Sequence, residues 1–538
     1  MVARRSFLLD RPQVVRGAPV VRIDRGQDLE ISRPAVERDQ AEPELLLRAA
    51  VEERAPARVV VLAQPGVRHR QPRRLARVAE RARPGRDREG QRQRERRHRA
   101  GSHVRASRGA TVSPRSLRGD ALPLPRARDS GYKSPVRARL REPRRFKHGA
   151  LTVLHDPLPG PLTAIALVVR AGSCFDGAHP GIAHMTEHML FQGTRRLDQA
   201  TLNRRAAELG GEHDADTGYE DVTLHFEVFN QDVEEALALL AEQCFRSTVP
   251  VDRFANEQRV VIDEIRGRQE DPANYVHEHA WARFFGDGLG HPVCGTVSSV
   301  RRMTRQAVRS FIARHFVPAN MCLALVGGVA RDTIRRALAH TFPRGARGAR
   351  LRPPRPRPRA SGLLRLRRTD LAQAYLVRLI AAPPTPREVL ALSLAVEIVG
   401  ADPDARLFQE IRERLGLGYD LSAGVEHGRD WAVAVLSASA ARDEERRLRE
   451  TIDRTCREAA AGFSPAELRR ARKKVRYRFA RLADSRLERA LAHAGRAACD
   501  QPSLAATERM IARLRPAEVE AAWRRALIAP TLTAVLRG

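Results

Sequence analysis

Residues 146–538 contain one order of predicted strands and helices twice, and this repetition constrains the fold more than any other feature. Each half begins with an apolar strand, continues with helices of apolar periodicity and alternating strands, and returns to an apolar strand near its end. A Pro- and Arg-rich stretch at 346–362 separates the halves, and its prolines exclude a helix or a central strand. We therefore predict an α+β fold with two homologous domains, 146–345 and 363–538, each a mixed sheet packed on helices and joined by a stiff linker.

The individual elements are predicted from short-range patterns of apolar residues. Strands are expected where apolar residues alternate or form short runs, and helices where they recur every three or four positions. In the first half, strands are predicted at 149–158, 161–172, 221–229 and 320–329, and helices at 180–194, 198–210, 231–245, 252–286 and 331–342. In the second half, strands are predicted at 372–382, 419–426, 431–438 and 531–538, and helices at 387–400, at 404–416 and, after the strand at 431–438, up to about residue 528.

Residues 1–145 differ from the rest of the chain because arginine dominates them. The chain carries a net charge of +32, and most of it lies in this segment. Sustained periodicity is rare there, so the segment cannot bury enough apolar surface to offset its chain entropy. Three interpretations are open: a disordered basic tail that contacts nucleic acid or anionic lipid, a solvated extension, and translation from a wrongly assigned start codon. Aromatic residues do not interleave with the arginines, which argues against nucleic acid as a partner.

The apolar residues and cysteines bear on membrane attachment and compartment. No run of about 18 apolar residues is present, so no membrane-spanning helix is expected. The N-terminal apolar stretch is short and is interrupted by Asp10 and Arg11, unlike a signal peptide. The six cysteines are scattered and form no CxxC pair, so neither a disulfide framework nor a cysteine zinc site is supported. These features favour a cytoplasmic location without defining the compartment.

The sequence HMTEH at 184–188 is the strongest indication of function. In a helix, His184 and His188 lie four positions apart on one face, so both imidazoles can bind one ion. Glu187 can act as a general base on water, whose pKa a bound zinc ion lowers. Zinc also requires a third protein ligand and an open position. The alternative for the motif alone is a surface helix that carries solvated histidines, but random placement of the His and Glu residues would give fewer than about 0.07 copies of HxxEH in this chain, so chance explains the motif poorly.

The pattern HxxEH is the inverse of HExxH and is the signature of the inverzincin peptidases. Residues 170–194, RAGSCFDGAHPGIAHMTEHMLFQGT, and the whole of 146–538 resemble the pitrilysin/insulinase family, which includes the mitochondrial processing peptidase and similar bacterial proteins. The resemblance implies that Glu264, at the family's spacing after His188, is the third zinc ligand. It also implies that Glu257 supports the site without binding the metal. One Zn²⁺ per chain is expected, because the second half has no counterpart of HMTEH.

The same resemblance assigns a role to two residues of the second half. Arg412 and Tyr419 match an arginine and a tyrosine that contact the substrate and help to stabilise the tetrahedral intermediate in that family. Guanidinium and phenol groups are donors that suit a developing oxyanion. Without the resemblance, Arg412 would be interpreted as a solvated helix charge and Tyr419 as a core residue at the start of a strand.

One segment of the first half is a candidate for substrate binding. Asp214, Ala215 and Thr217 match a family segment, usually Asn-Ala-x-Thr, that pairs with an extended peptide through its main chain. Asp214 replaces the usual amide, so a side-chain contact from that position is in doubt. The carboxylates of Asp214 and Asp216 would disfavour acidic substrates. The alternative is a polar hairpin turn.

These inferences lead to a zinc metalloendopeptidase that hydrolyses peptides or unfolded segments, with Glu187 as the general base. Long family members use four such domains as two facing bowls. A two-domain chain therefore implies a homodimer, or a heterodimer with a related family member, in which the zinc domain faces the partner's Arg/Tyr domain. Two alternatives remain: a non-catalytic subunit of a heterodimeric peptidase and, less favoured, a nucleic-acid-binding protein that acts through its basic tail. Cys294 is expected to be a structural thiol.

Overall fold

The computed structural model describes residues 140–345, 348–400, 402–418 and 420–538. The predicted N-terminal extension, apart from its last few residues, lies outside the described residues, and so does Tyr419. In the part of the chain that is described, no helix is both long and apolar enough to cross a membrane.

The first half is a mixed sheet with helices. Its strands are β1 (Arg144–His148), β2 (Leu151–Pro157), β3 (Leu162–Val169), β4 (Glu212–Thr217), β5 (Val222–Phe229) and β6 (Met321–Gly327). Its helices are α1 (Ile182–Leu190), α2 (Gln199–Glu208), α3 (Val233–Arg246), α4 (Val251–Glu270), α5 (Pro272–Phe285), α6 (Val297–Arg302), α7 (Arg305–His315) and α8 (Arg331–Thr341). The strand order is β1-β2-β6-β3-β5-β4, with β2 and β6 parallel and all other neighbours antiparallel.

The second half repeats this arrangement. Its strands are β7 (Gly362–Arg367), β8 (Gln373–Ala382), β9 (Leu421–His427), β10 (Ala432–Ala441) and β11 (Thr531–Arg537). Its helices are α9 (Pro386–Val399), α10 (Arg406–Phe408), α11 (Glu445–Glu458), α12 (Pro465–Asp484), α13 (Arg486–Ala498), α14 (Leu504–Arg513) and α15 (Pro516–Ile528). The strand order is β7-β11-β8-β10-β9, with β7 and β11 parallel and the other neighbours antiparallel.

The two sheets have the same topology. In order and orientation, β2, β6, β3, β5 and β4 correspond to β7, β11, β8, β10 and β9, and β1 is an additional edge strand. The prediction of an α+β fold with two homologous halves is therefore confirmed. The boundaries 146–345 and 363–538 stay predictions.

The central strands are buried on both faces, which explains their nearly continuous apolar sequences. On β3, Ile165 and Leu167 face the core formed with the helices of the first half. Ala164 and Ala166, which point to the opposite face, belong to a second apolar cluster. The small side chains on this second face leave room for a helix to pack closely.

A helix from each half covers the sheet of the other half. α13 packs on the second face of the first sheet, and α5 packs on the second sheet, where Trp281 lies in an apolar cluster with residues of β8, β10 and β11. A buried ion pair strengthens the first contact, because Nε of Arg489 and Nε2 of His493 lie 2.6 and 2.9 Å from Oδ2 of Asp156. The two halves are thus held together by reciprocal packing.

Three local features differ from the predicted elements. The helical region at 252–286 is broken at Asp271, whose side chain accepts the amide hydrogens of Ala273 and Asn274 and starts a new helix before Pro272. The helix at 404–416 continues after α10 as a π-helical segment, Gln409–Arg414. Strands β1 and β7 and helices α6 and α7 were not predicted from the sequence.

Candidate metal centre

Core packing and a buried carboxylate fix the position of α1, the helix that carries the HMTEH motif. Met185 and Met189 are fully buried in the apolar core, so the helix is fixed by one face. Before the helix, Oδ2 and Oδ1 of Asp176 accept the amide hydrogens of Gly181 and Ala183 at 2.6 and 3.1 Å. Gly181 has a φ of 89° and lies so close to the backbone of Cys294 that a Cβ would meet its carbonyl oxygen at 2.6 Å.

The three predicted metal ligands converge. Nε2 of His184 and Nε2 of His188 each lie 3.7 Å from Oε2 of Glu264, which α4 supplies. The ligand atoms of these three residues all lie within 4.8 Å of one another. Ligand atoms bound to one tetrahedral Zn²⁺ at about 2.0–2.2 Å are separated by roughly 3.4 Å, so the observed spacing fits zinc with small adjustments.

Glu257 contacts His188 through the ring nitrogen that does not face Glu264. It lies two turns before Glu264 on α4, and its Oε2 is 2.8 Å from Nδ1 of His188. This contact keeps the proton on Nδ1 and leaves Nε2 available as a ligand. Burial lowers the pKa of His188, but the carboxylates of Glu257 and Glu264 outweigh it and raise the pKa to about 9. In the absence of a metal this imidazole is therefore protonated near neutral pH.

Glu187 lies beside the ligands with a proton affinity suited to a base. Burial raises its pKa to about 7, and the nearby Asp216 and Asp214 add to the shift. His188 and the hydroxyl of Thr217 oppose it. Oγ1 of Thr217 donates a hydrogen bond of 2.5 Å to Oε2 of Glu187. A carboxyl group that titrates near neutral pH can both accept and return a proton.

The predicted substrate segment lies on β4, the terminal strand of the sheet. Thr217 contacts Glu187, so one end of this edge strand lies at the site. The amide hydrogen of Ala215 is bonded to Oδ1 of Asp214 at 2.9 Å. A peptide that bonds to this amide must displace the Asp214 carboxylate. The sequence did not predict this contact between Asp214 and Ala215.

Other candidate residues are placed less directly. Arg412 lies in the π-helical segment of the second half, and its guanidinium stands over the ring of Phe408 at 5.2 Å.

Cys294 lies close to the site, which the sequence did not predict. Its Sγ is 3.9 Å from Nε2 of His184. The two residues are far apart in the chain, and no local pattern signals the contact. Burial raises the pKa of the Cys294 thiol, as expected for a structural thiol.

The corresponding helix pair of the second half carries an ion pair instead of ligands. Helices α9 and α12 pack together as α1 and α4 do. α9 contains no histidine, and its Glu397 pairs with Arg478 and, at 3.8 Å, with Lys474 of α12. In the described residues, His184, His188 and Glu264 form the one group suited to a metal ion.

Sequence profiles of known protein families match both halves of the chain. The sequence profile of the insulinase family of peptidases (M16) matches residues 152–297, and that of the peptidase M16 inactive domain matches residues 302–475. The chain is 32% identical to an uncharacterized zinc protease of Mycobacterium leprae over 52% of its length, which spans 64% of that relative. It is 27% identical to an uncharacterized zinc protease of Rickettsia felis over 62% of its length, which spans 81% of that relative.

Solved structures share the fold. A peptidase M16 inactive domain from Pseudomonas fluorescens matches with a TM-score of 0.68 and 20% identity, covering 73% of this chain and 98% of that one. A protease from Helicobacter pylori matches with a TM-score of 0.68 and 18% identity, covering 74% of this chain and 100% of that one. The matches to both halves, together with the shared two-sheet fold, show that the chain belongs to the pitrilysin/insulinase (M16) family of peptidases.

Proposed function

We propose that this chain is a zinc-dependent endopeptidase that cleaves peptides or unfolded segments. The observation that carries the proposal is the convergence of His184, His188 and Glu264 beside Glu187. Two imidazoles and one carboxylate with an open fourth position are the ligand set of a hydrolytic zinc site. The names of the relatives support zinc and peptidase chemistry for the same fold.

Each residue of the site has a distinct role in this proposal. His184, His188 and Glu264 hold the metal, and Glu257 fixes the orientation of His188. When bound, zinc supplies Lewis acidity that polarises the scissile carbonyl and lowers the pKa of water. Glu187 accepts the proton of the attacking water and returns it to the leaving amine, for which its pKa near neutrality is suited.

The edge strand β4 provides a binding place for the substrate. An extended peptide can add to β4 through main-chain hydrogen bonds, and Thr217 at its end brings the peptide close to Glu187. Side chains on one face of β4 are all carboxylates, because Glu212, Asp214 and Asp216 alternate with His213, Ala215 and Thr217. Peptides with basic residues are therefore favoured over acidic ones.

Arg412 and Tyr419 complete the site in a dimer. Both belong to the second half, where the helix pair equivalent to α1 and α4 holds an ion pair rather than ligands. We assign them to the stabilisation of the oxyanion in the site of a partner chain, so that a homodimer has two sites and one Zn²⁺ per chain. A heterodimer with a related family member would use the same residues.

Removal and replacement of the metal test the proposed function. The purified chain is treated with a chelator, and quenched fluorescent peptides are added before and after addition of one equivalent of Zn²⁺. The expected result is loss of cleavage on chelation and recovery with zinc. His340, an exposed residue of α8, offers a control variant, His340→Ala, to set beside His188→Ala. A zinc-loaded chain that cleaves no peptide would support the alternative of a non-catalytic subunit.

A further inference from the structure

The turn between β4 and β5 connects the base to the rest of the first half. Thr217, which bonds to Glu187, is the last residue of β4, and the turn follows at 218–221. The carbonyl oxygens of Gly218 and Tyr219 accept the amide hydrogens of Ser173 and Cys174 at 3.1 and 2.9 Å. The position of this turn therefore determines where the Thr217 hydroxyl lies.

The second half holds the same turn through one buried carboxylate. Glu220 is 5% exposed, and its carboxylate accepts hydrogen bonds from residues of the second half. The Arg429 amide donates to both carboxylate oxygens at 3.1 and 3.0 Å, and the Trp431 indole donates at 3.0 Å. The thiol of Cys499 donates at 3.2 Å. A buried carboxylate with several hydrogen-bond donors is held firmly, because loss of any one of these hydrogen bonds leaves the buried group less well compensated.

The packing around this contact leaves little freedom. A Cβ at Gly428 would collide with the indole nitrogen of Trp431 and with Oε1 of Glu220. The ring of Tyr219, next to Glu220, stacks on Trp281 at 5.0 Å and meets the edge of Trp431 at 6.0 Å. The turn is thus fixed by the second half on one side and by α5 on the other.

We propose that Glu220 is a positioning residue for peptide hydrolysis: anchored by Arg429 and Trp431 of the second half, it fixes the β4–β5 turn so that Thr217 orients Glu187. The inference rests on the proposed function of the site. It gives the second half of each chain a part in the reaction at its own chain's metal centre, without contact to the substrate. A base that is displaced by even a fraction of an ångström transfers protons less efficiently.

The substitution Glu220→Gln removes the anchor with a minimal change in shape. In either orientation of the amide, its NH₂ group would face the N–H of Arg429, which donates to both carboxylate oxygens of Glu220, so the turn must shift to avoid this donor. We expect kcat to fall about tenfold, as misplacement of a catalytic group does, while KM and bound zinc stay unchanged. Glu227→Gln, on β5 outside these contacts, is the matched control and should leave kcat unaltered.

A double-mutant cycle distinguishes positioning from general destabilisation. Thr217→Val removes the hydroxyl that donates a hydrogen bond to Glu187, and Thr217→Ser retains this hydroxyl. We expect Glu220→Gln to add no further loss of kcat in the Thr217→Val background but to lower kcat in the Thr217→Ser background. Independent losses that multiply in both backgrounds would overturn it, as would a Glu220→Gln enzyme with the kcat of the unaltered chain.

Two controls keep the outcome interpretable. If Glu220→Gln fails to fold, Trp431→Phe removes one donor from the other side and must show the same dependence on Thr217; a kcat equal to that of the unaltered chain would reject the inference. Zinc content and thermal unfolding are measured for every variant. An unaltered, zinc-loaded chain without turnover would refute the proposed function itself, whereas an active chain that is indifferent to Glu220 refutes this inference alone.

Discussion

Nδ1 of His188 lies 2.8 Å from Oε2 of Glu257, and this contact leaves Nε2 of the same ring directed toward Glu264. The relationship links the two helices of the site, since His188 lies on α1 and both glutamates lie on α4. It also favours the protonated form of His188, so a metal ion must displace a proton from this ring when it binds. The first two predictions follow from it.

Glu257→Gln should weaken zinc binding without abolishing it. The amide oxygen of Gln can still accept a hydrogen bond from Nδ1–H of His188, but the negative charge that strengthens His188 as a ligand is lost. Loss of such a partner typically lowers metal affinity by about 10–100-fold. Competition with a chromophoric chelator measures the affinity, and Glu270→Gln at the exposed end of the same helix is the control. An unchanged affinity would show that Glu257 does not orient the ligand.

Zinc affinity should rise with pH up to about 9. In the metal-free protein the pKa of His188 is raised to about 9, so below that pH the ring must lose a proton before it can bind the metal. Each unit of pH then favours binding by about tenfold until the pKa is reached. Chelator competition at a series of pH values checks the slope, and proton release on zinc addition gives an independent measure. An affinity that is constant between pH 7 and 9 would contradict the prediction.

Peptide charge should affect cleavage through β4. Carboxylates at Glu212, Asp214 and Asp216 lie on one face of the edge strand, so a peptide with Lys at alternate positions is expected to have a lower KM than its Glu counterpart. The preference should weaken in Asp214→Asn and as salt concentration rises. Equal KM values for the Lys peptide and the Glu peptide at low salt would show that substrates do not bind beside β4.

The dimer model predicts complementation between two inactive chains. Glu187→Gln inactivates the base, and Arg412→Ala removes the donor that the model places in the partner's site. After subunit exchange, a mixed dimer contains one site with both changes and one with neither, so activity should return. Exchange is verified independently with differently tagged chains. If the exchanged mixture stays inactive, each chain completes its own site.

Much of the site could be predicted from the sequence because its residues follow local rules. His184 and His188 share a helix face through their spacing, and Glu264 was found from the family's spacing after His188. The repeated order of elements predicted two homologous halves, which the strand orders confirm. The break between α4 and α5 could also have been found, since Asp271 and Pro272 form a helix-start signal.

The remaining features depend on contacts between distant parts of the chain. Periodicity does not indicate that Thr217 bonds to Glu187, that Cys294 lies beside His184, or that Glu220 reaches Trp431. Such contacts arise from sheet order and from the packing of one half on the other. Thr217 was assigned to substrate binding from the resemblance, and its contact with the base gives it an additional role.

The most direct test of the account measures zinc content and peptide turnover together in Glu187→Gln. The ligands His184, His188 and Glu264 are unchanged in this variant, so it should bind one equivalent of zinc. The base is absent, so kcat should fall by at least about 100-fold. His184→Ala, measured in parallel, should lose zinc and activity together. A Glu187→Gln chain that retains zinc and full turnover would contradict the central claim that Glu187 is the base of a zinc peptidase.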